Sequence, residues 1–146
     1  MHVSAAALDD VAAIQRCLGA SGMLVHHRRC YEDSALVTLA DVEDLLVRPG
    51  LCTWLLQDGA AVQAVATTSV GDEDSGRVGY LHLFVVRPDA SSHTAVRLLQ
   101  HLLGQWLEPP VALIRQARLD PLSSVFRIEQ DRALLDLFAS CGFEAG

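Results

Sequence analysis

The stretch of this sequence with the most usable chemistry joins a predicted strand to a predicted helix. Ser91 and Ser92 lie between the strand Tyr80–Arg87 and the start of that helix. Hydroxyls at this position can cap the free amides of a first helical turn. A strand that ends in a short turn also directs several N–H groups at one place, where the helix dipole favours negative charge. The stretch therefore predicts a phosphate-binding turn, although an ordinary strand–helix unit with a serine cap explains the same residues.

The elements on either side of this turn are predicted from their apolar patterns. Tyr80–Arg87 is mostly apolar or aromatic, contains two adjacent valines and ends before Pro88, which is typical of a buried strand. Beyond the turn, apolar residues recur every three or four positions as far as Leu107, which predicts one buried stripe on a helix. The stripe consists of Val96, Leu99, Leu102, Leu103 and Trp106.

The composition indicates a single soluble domain. The 146 residues suffice for one hydrophobic core, so residues 1–146 are predicted to form one domain. No apolar run approaches the roughly 18 residues that span a bilayer, and the first residues do not resemble a signal peptide. The net charge of −7 argues against nucleic acid or an anionic membrane as the main partner. We therefore expect a cytoplasmic protein.

No metal site is predicted. The four cysteines lie far apart and form no C-x-x-C pair, which favours reduced and mostly buried thiols. The adjacent histidines His26 and His27 point in different directions, and no third ligand lies nearby in the sequence. The acidic run Gly71–Gly76 has too few ligands for a calcium loop and is predicted to be a solvated link.

Further elements are predicted by local signals. Val3–Ala7 is a candidate first strand, and Asp9 opens the first helix. Thr38 is predicted to cap a second helix, with Asp41 completing a capping box. The remaining predicted elements are the strands Leu51–Gln57 and Ala61–Ser69 joined by a hairpin at Asp58-Gly59, the strand Val111–Ala117, a long connection over Arg118–Gln130, and a last helix with Leu134, Leu137, Phe138 and Cys141 inside.

Two segments resemble the signatures of the Gcn5-related N-acetyltransferase family. Leu81–Asp89, followed by a long helix, is similar to the central motif of that family. Ala133–Phe143 resembles the second signature, Ala-x-x-x-Leu-Tyr-x-x-x-Gly-Phe, and the two segments stand in the family's order. The resemblance implies an α/β fold with a mixed sheet, in which Val111–Ala117 runs parallel to Tyr80–Arg87 and the preceding strands are antiparallel.

The resemblance also implies a sheet that is truncated at its C-terminal side. Family members normally continue past the last helix with one or two strands, whereas this sequence stops at Gly146, three residues after Phe143. An open edge on an apolar strand is usually covered. We therefore expect either a homodimer contact or a partner chain along Val111–Ala117, or that the sequence is a fragment of a longer one.

Acetyl-CoA or another acyl-CoA is the co-substrate that the resemblance implies. It would lie between Tyr80–Arg87 and Val111–Ala117, with its pyrophosphate on the turn before the long helix. The implied cofactor-binding residues are Phe84, Val85, Val86, Ser91, Ser92, His93, Thr94, Ala95, Val96 and Gln130.

Four residues depart from the family's pattern, among them Val96, which stands where the family has a second glycine or an alanine. Ser91 stands where the family has Arg or Gln, so a compensating charge is missing. Thr94 stands where the family has a glycine, and its branched side chain is expected to obstruct close approach of the pyrophosphate. Phe138 replaces the tyrosine that often protonates the leaving thiolate.

His82 is the candidate catalytic residue. It is the one titratable side chain besides Tyr80 in Tyr80–Val86, and the usual range of histidine suits taking a proton from an amine. A hydrogen-bonded core histidine is the alternative.

Arg28, Arg29 and Tyr31 lie where the family's acceptor loops are found, and a solvated loop explains them equally. The function implied is acyl-CoA-dependent N-acylation of a small-molecule or peptide amine. The alternative is a catalytically silent domain of the same fold that serves as a binding or scaffolding module.

Overall fold

The structure, a computed structural model, describes residues 2–21, 24–26, 34–59, 61–74, 76–106, 113–116, 136 and 139. Three helices lie in these ranges, α1 (Val11–Ala20), α2 (Leu39–Val47) and α3 (Ser92–Gln105), with a short 3-10 helix at Leu8–Asp10. The strands are β1 (His2–Ala5), β2 (Leu24–His26), β3 (Ser34–Leu36), β4 (Cys52–Asp58), β5 (Ala61–Glu73), β6 (Gly76–Val86) and β7 (Leu113–Gln116).

Five of the strands form one mixed sheet in the order β1-β4-β5-β6-β7. Neighbours are antiparallel except β6 and β7, which are parallel. This arrangement confirms the predicted mixed sheet and its parallel pair. Strands β2 and β3 form a separate antiparallel pair, which the sequence patterns did not predict for this polar stretch.

Local turn and cap chemistry confirms two predicted boundaries. Gly59 has φ of 65° at the turn between β4 and β5, a conformation that glycine adopts without a Cβ penalty. At the start of α2 the Asp41 amide donates to Thr38 Oγ1 at 3.3 Å, and the Thr38 amide donates to Asp41 Oδ2 at 2.9 Å. This is the expected capping box, which satisfies two backbone donors at once.

The acidic run Gly71–Gly76 is exposed at Asp72 and Asp74, as a solvated turn should be, but it is more regular than its composition predicted. β5 continues through Glu73 and β6 begins at Gly76, so the two strands meet in a tight hairpin. The Tyr80 ring packs closely on Gly71, because a Cβ there would lie 3.0 Å from the ring and would require it to shift. Asp72 pairs across the strands with Arg77, and opposite charges at such a pair are favourable.

Helices cover both faces of the sheet and create two cores. On the first face α1 and α2 pack on the sheet through Ile14, Leu18, Leu45, Leu55, Val65, Leu83 and Val85. On the second face α3 packs through Ala95, Leu98, Leu99, Leu102 and Trp106 on Leu56, Ala66, Leu81 and Phe84. The predicted stripe of α3 is thus rotated slightly, because Leu98 is fully buried whereas Val96 is half-buried.

After β7, only Asp136 and Ala139 are described, and both are helical and exposed. These positions agree with the predicted last helix, whose inner face was assigned to other residues. The long connection, the expected truncation of the sheet and the partner along Val111–Ala117 concern residues that lie largely outside the described ranges, and they stay predictions. Within the described ranges, no helix is long and apolar enough to cross a membrane.

Candidate functional site

The candidate site lies along β6, next to its parallel neighbour. Val78 to Leu81 of β6 pair with Leu113 to Gln116, the described residues of β7. β6 continues from there to Val86 and remains paired with β5 on its other side. The stretch of β6 from His82 to Val86, beyond the described pairs with β7, is termed the step between the two strands, and an extended ligand is expected along it.

A β-bulge interrupts β6 at the beginning of this step. Thr68 is opposite Leu81 and Thr67 is opposite Leu83, so His82 is an extra residue in β6. A bulge redirects a side chain and increases the local twist, and bulges are frequent beside active sites. His82 therefore occupies the one irregular position of the β5–β6 ladder that lies in the candidate site.

The bulge changes which residues of β6 face each core. Before it, Leu81 packs against α3; after it, Phe84 packs against α3 while Leu83 and Val85 pack towards α1 and α2. A regular strand alternates strictly, so residues 81, 83 and 85 would share one face. His82 consequently projects on the α1/α2 face of the sheet, next to the side chains of Ser69 and Tyr80.

Ser69 and Tyr80 both contact the imidazole of His82. Its Nε2 lies 2.6 Å from Ser69 Oγ, within hydrogen-bonding distance. The Tyr80 ring stacks beside it, with centroids 6.2 Å apart and planes 29° apart. Ser69, Tyr80 and His82 are all half-buried, so the group borders solvent. This environment agrees with both predictions for His82, a base at the surface of the site or a hydrogen-bonded histidine.

Tyr80 is itself fixed from the hairpin end of the strands. Its hydroxyl donates to Glu73 Oε2 at 2.6 Å, and its ring covers Gly71. Hydrogen bonds to a carboxylate are stronger than those between neutral groups. Glu73, Tyr80, His82 and Ser69 therefore form a polar row along the α1/α2 face of β5 and β6.

The turn between β6 and α3 is built by backbone hydrogen bonds. The Arg87 amide donates to Gln63 O at 2.9 Å, which ends the pairing with β5, and the Ala90 amide donates to Arg87 O at 3.0 Å. α3 starts at Ser92 with extended Ser91 as its N-cap residue, which confirms the predicted start, but the Ser91 hydroxyl caps no amide and lies near Thr94 Oγ1 instead. The first amides of a helix have no acceptor within the helix, so this end suits an anion.

Thr94 is buried in the first turn of α3. It is only 1% exposed, and its Oγ1 lies 3.3 Å from Oγ of the N-cap residue Ser91. Obstruction of a pyrophosphate by this branched side chain stays a prediction. Ser91 and His93 are exposed at this end, whereas Ala95 is buried.

Similar solved structures are acetyltransferases and a regulator of the same fold. A probable acetyltransferase is 17% identical, with a TM-score of 0.72 over 100% of this chain and 91% of the other. Ribosomal-protein-alanine N-acetyltransferase from Brucella melitensis biovar Abortus 2308 is 15% identical, with a TM-score of 0.70 over 99% and 94%. A transcriptional regulator from Bacillus halodurans C-125 is 10% identical, with a TM-score of 0.70 over 99% and 93%.

The chain has the fold of the Gcn5-related N-acetyltransferase family. This likeness is one of structure, since the sequence matches no protein-family model and no curated protein sequence. The assignment by resemblance of two short signatures is thus confirmed for the fold.

The residues of the turn fit the pyrophosphate of an acyl-CoA in part. The start of α3 offers backbone amides, but the Thr94 amide already donates to Ser91 O at 3.0 Å, and the Ser91 hydroxyl lies 3.3 Å from Thr94 Oγ1. The charge is less favourable. Arg87, the arginine closest in sequence to the turn, places its Nε 3.2 Å from Asp89 Oδ1, so its charge is already compensated.

Some of the other residues expected from the N-acetyltransferase resemblance are described by the structure, and the rest are not. Phe84 and Val85 are buried in the two cores and Val86 is half-buried, so they can offer backbone rather than side chains to a ligand. Ser92 is the first residue of α3. Arg28, Arg29, Tyr31, Gln130 and Phe138 lie outside the described residues, and their roles stay predictions.

A pocket separate from the step and the turn lies beside Arg87, on the side of α1. It has a volume of about 210 Å³ and is lined by Ala13, Arg16, Ala61, Val62 and Arg87. Nothing in the sequence pattern indicated it, because its residues come from α1, β5 and the end of β6. Neither this pocket nor Ser69 was among the residues predicted for the site. Only the strand register could have placed Ser69 beside His82.

Proposed function

We propose that this protein is an acyl-CoA-dependent N-acyltransferase that acylates a small-molecule or peptide amine. The observation that carries the proposal is the bulge that places the His82 imidazole beside the step between β6 and β7. The side chain of His82 lies on β6, and the proposed anion-binding turn begins at Arg87, directly after the end of the same strand. Both parts of the reaction, binding an acyl donor and deprotonating an amine, therefore have candidate residues on β6 and its turn.

The acyl donor would be acetyl-CoA or another acyl-CoA, which supplies an acyl group activated as a thioester. The exposed Ser91 and the first amides of α3 would hold the pyrophosphate. His93, which is also exposed there, can donate a further hydrogen bond. The backbone of Phe84, Val85 and Val86 would lie along the pantetheine arm.

His82 would act as the general base. The amine of the acceptor forms the new C–N bond as the C–S bond of the thioester breaks, and the amine must lose a proton. Imidazole is the side chain whose usual proton affinity suits this exchange near neutral pH. The held orientation of His82 contributes by keeping its nitrogen at a fixed place relative to β6.

A catalytically silent binding module is the second candidate, and one specific observation favours it. The turn before α3 has neither the basic residue at position 91 nor an uncompensated Arg87, since Arg87 is paired with Asp89. A weaker electrostatic contribution to phosphate binding follows. Such a module would keep the fold and bind its partner without acyl transfer.

Calorimetric titration of the purified protein with acetyl-CoA tests the binding step first. We expect saturable binding that desulfo-CoA, which lacks the acylated sulfur, reproduces because the pyrophosphate contacts are the same. Release of free thiol with a panel of amines and amino-terminal peptides then tests transfer. Binding without transfer for every amine would favour the silent module, and no binding at all would refute the acyl-CoA proposal.

A further inference from the structure

Ser69 and His82 are thirteen residues apart in sequence, yet Ser69 Oγ lies 2.6 Å from His82 Nε2. We propose that Ser69 is a positioning residue, which holds Nε2 of His82 and thereby assigns proton exchange to Nδ1. The catalytic use of this arrangement rests on the function proposed above. The arrangement itself is a property of the folded chain and can be tested without turnover.

The order of the strands places Ser69 behind His82. Ser69 belongs to β5 and His82 to β6, while the step that would receive the acyl donor lies between β6 and β7. A group on β5 is therefore one strand farther from that step than the imidazole. Ser69 acts on an acceptor only through His82, which makes it a positioning residue and not a catalytic one.

Proton uptake and release by His82 favour one direction for the hydrogen bond between Ser69 and His82. A neutral imidazole carries one N–H, whereas the protonated ring carries two, and a serine hydroxyl can either donate or accept. A bond in which Nε2–H donates to Ser69 Oγ exists in both protonation states. The opposite bond, in which Ser69 donates to Nε2, needs the lone pair that proton uptake at Nε2 would consume. Only the first arrangement is unchanged through a cycle of proton uptake and release.

The basic lone pair of the neutral ring is then on Nδ1. During transfer the acceptor nitrogen bonds to the acyl carbon, the C–S bond breaks, and the proton of that nitrogen goes to Nδ1. It reaches Nδ1 directly or through a group bound there. The imidazolium later returns the proton to solvent or to the departing thiolate, so His82 ends neutral with the same tautomer.

Two further contacts keep the ring where Ser69 can hold it. The Tyr80 ring stacks beside the imidazole, and the Tyr80 hydroxyl is bound to Glu73. Strand alternation places the imidazole on the same face as Tyr80 and its cross-strand partner Ser69, and the bulge leaves His82 without a partner of its own in β5. Stacking limits tilting of the ring, and the hydrogen bond limits its rotation, so each contact restricts a different motion.

The test compares Ser69→Ala and Ser69→Thr by the ¹⁵N chemical shifts of His82, assigned with His82→Gln. We expect the wild-type ring to be mainly the Nε2–H tautomer. Ser69→Ala should give a mixture of tautomers, and Ser69→Thr, which keeps the hydroxyl, should restore the wild-type spectrum. Ser4→Ala on β1 is the matched control and should leave His82 unchanged, because Ser4 pairs with Leu55 at the other edge of the sheet.

Kinetics provide the second measurement. Ser69→Ala should lower kcat about tenfold or more while KM for acetyl-CoA changes less than about twofold, because only the orientation of the base is lost. A wild-type Nδ1–H tautomer, or a His82 spectrum that Ser69→Ala does not alter, would overturn the proposal. Expected spectra in a protein that transfers no acyl group would uphold the positioning role and refute the acyltransferase function.

Discussion

The indole of Trp106 packs so closely on Gly79 that a Cβ at residue 79 would lie 2.6 Å from Nε1. Gly79 pairs with Ile114, so it belongs to the half of β6 that is bound to β7. The contact therefore holds the end of α3 against the part of β6 that pairs with β7. The start of α3, which carries the proposed phosphate turn, is positioned by the same rigid helix.

Gly79→Ala should destabilise the protein by about 1–3 kcal/mol, because the ring or the strand must move to admit a methyl group. Urea unfolding measures the change. Gly104→Ala is the matched control, since a Cβ there meets nothing within 4 Å and Gly104 lies in α3. Removing a helical glycine should stabilise by up to about 1 kcal/mol. Equal stability of Gly79→Ala and the wild type would contradict the close contact.

His82→Gln should lower kcat about a hundredfold or more while leaving acetyl-CoA affinity nearly unchanged, because a general base acts in the transition state. Steady-state kinetics and calorimetry measure the two effects separately. His2→Gln, an exposed histidine of β1, should leave both values unchanged. Unaltered turnover in His82→Gln would remove His82 from the mechanism.

Ser91→Arg should tighten acetyl-CoA binding several-fold by adding a charge-assisted hydrogen bond at the start of α3. The gain should shrink as salt is added, because screening weakens an exposed charge pair. Ser91→Gln has a long polar side chain without the charge and is the control. Restoring glycine at Thr94 is expected to lower stability instead, since the buried threonine fills space beside the helix. An identical affinity for the Arg and Gln variants would show that charge at residue 91 does not reach the ligand.

The buried hydroxyls of Thr53 and Thr67 lie 3.0 Å apart and satisfy each other. Thr67→Val should cost about 1–3 kcal/mol because it leaves the Thr53 hydroxyl buried without that partner. The double variant Thr53→Val/Thr67→Val should cost less than the sum of the single variants. Urea unfolding of the four proteins gives the coupling free energy, and additive costs would argue against the hydrogen bond.

Burial raises the pKa of the Cys17 thiol from 9.0 to about 12, while the nearby Arg87 opposes the rise. The folded protein therefore keeps this thiol neutral where the unfolded chain ionises it. This contribution to stability is complete below about pH 9 and is lost as the pH rises towards 12. Cys17→Ala should make the free energy of unfolding less dependent on pH in that window, as measured by urea unfolding at several pH values. Cys52→Ala, at an exposed thiol, should keep the wild-type dependence.

Much of the fold could be predicted because its signals are local. The hairpin at Asp58-Gly59 and the capping box at Thr38 each depend on a few adjacent residues, and the structure confirms them. The hairpin after Glu73 was missed because a glycine next to acidic residues is typical of a loop. Here, however, Gly71 makes room for the ring of Tyr80.

The site was only partly predictable for a different reason. His82 could be selected from its residue type and its place in a strand, but the contact with Ser69 depends on the register of two strands. A bulge shifts that register by one residue, and neither strand shows it in isolation. Likewise the burial of Thr94 depends on the packing of α3 and does not follow from the residues of the turn alone.

The pairing of β6 with β5 does not require His82, although the proposed chemistry does. If His82 were deleted, Leu81 and Leu83 would become neighbours opposite Thr68 and Thr67, and the ladder would be regular. Every apolar side chain would keep the face that it now occupies. In this strand His82 is thus a surplus residue for the architecture, and its removal would leave a complete sheet without an imidazole.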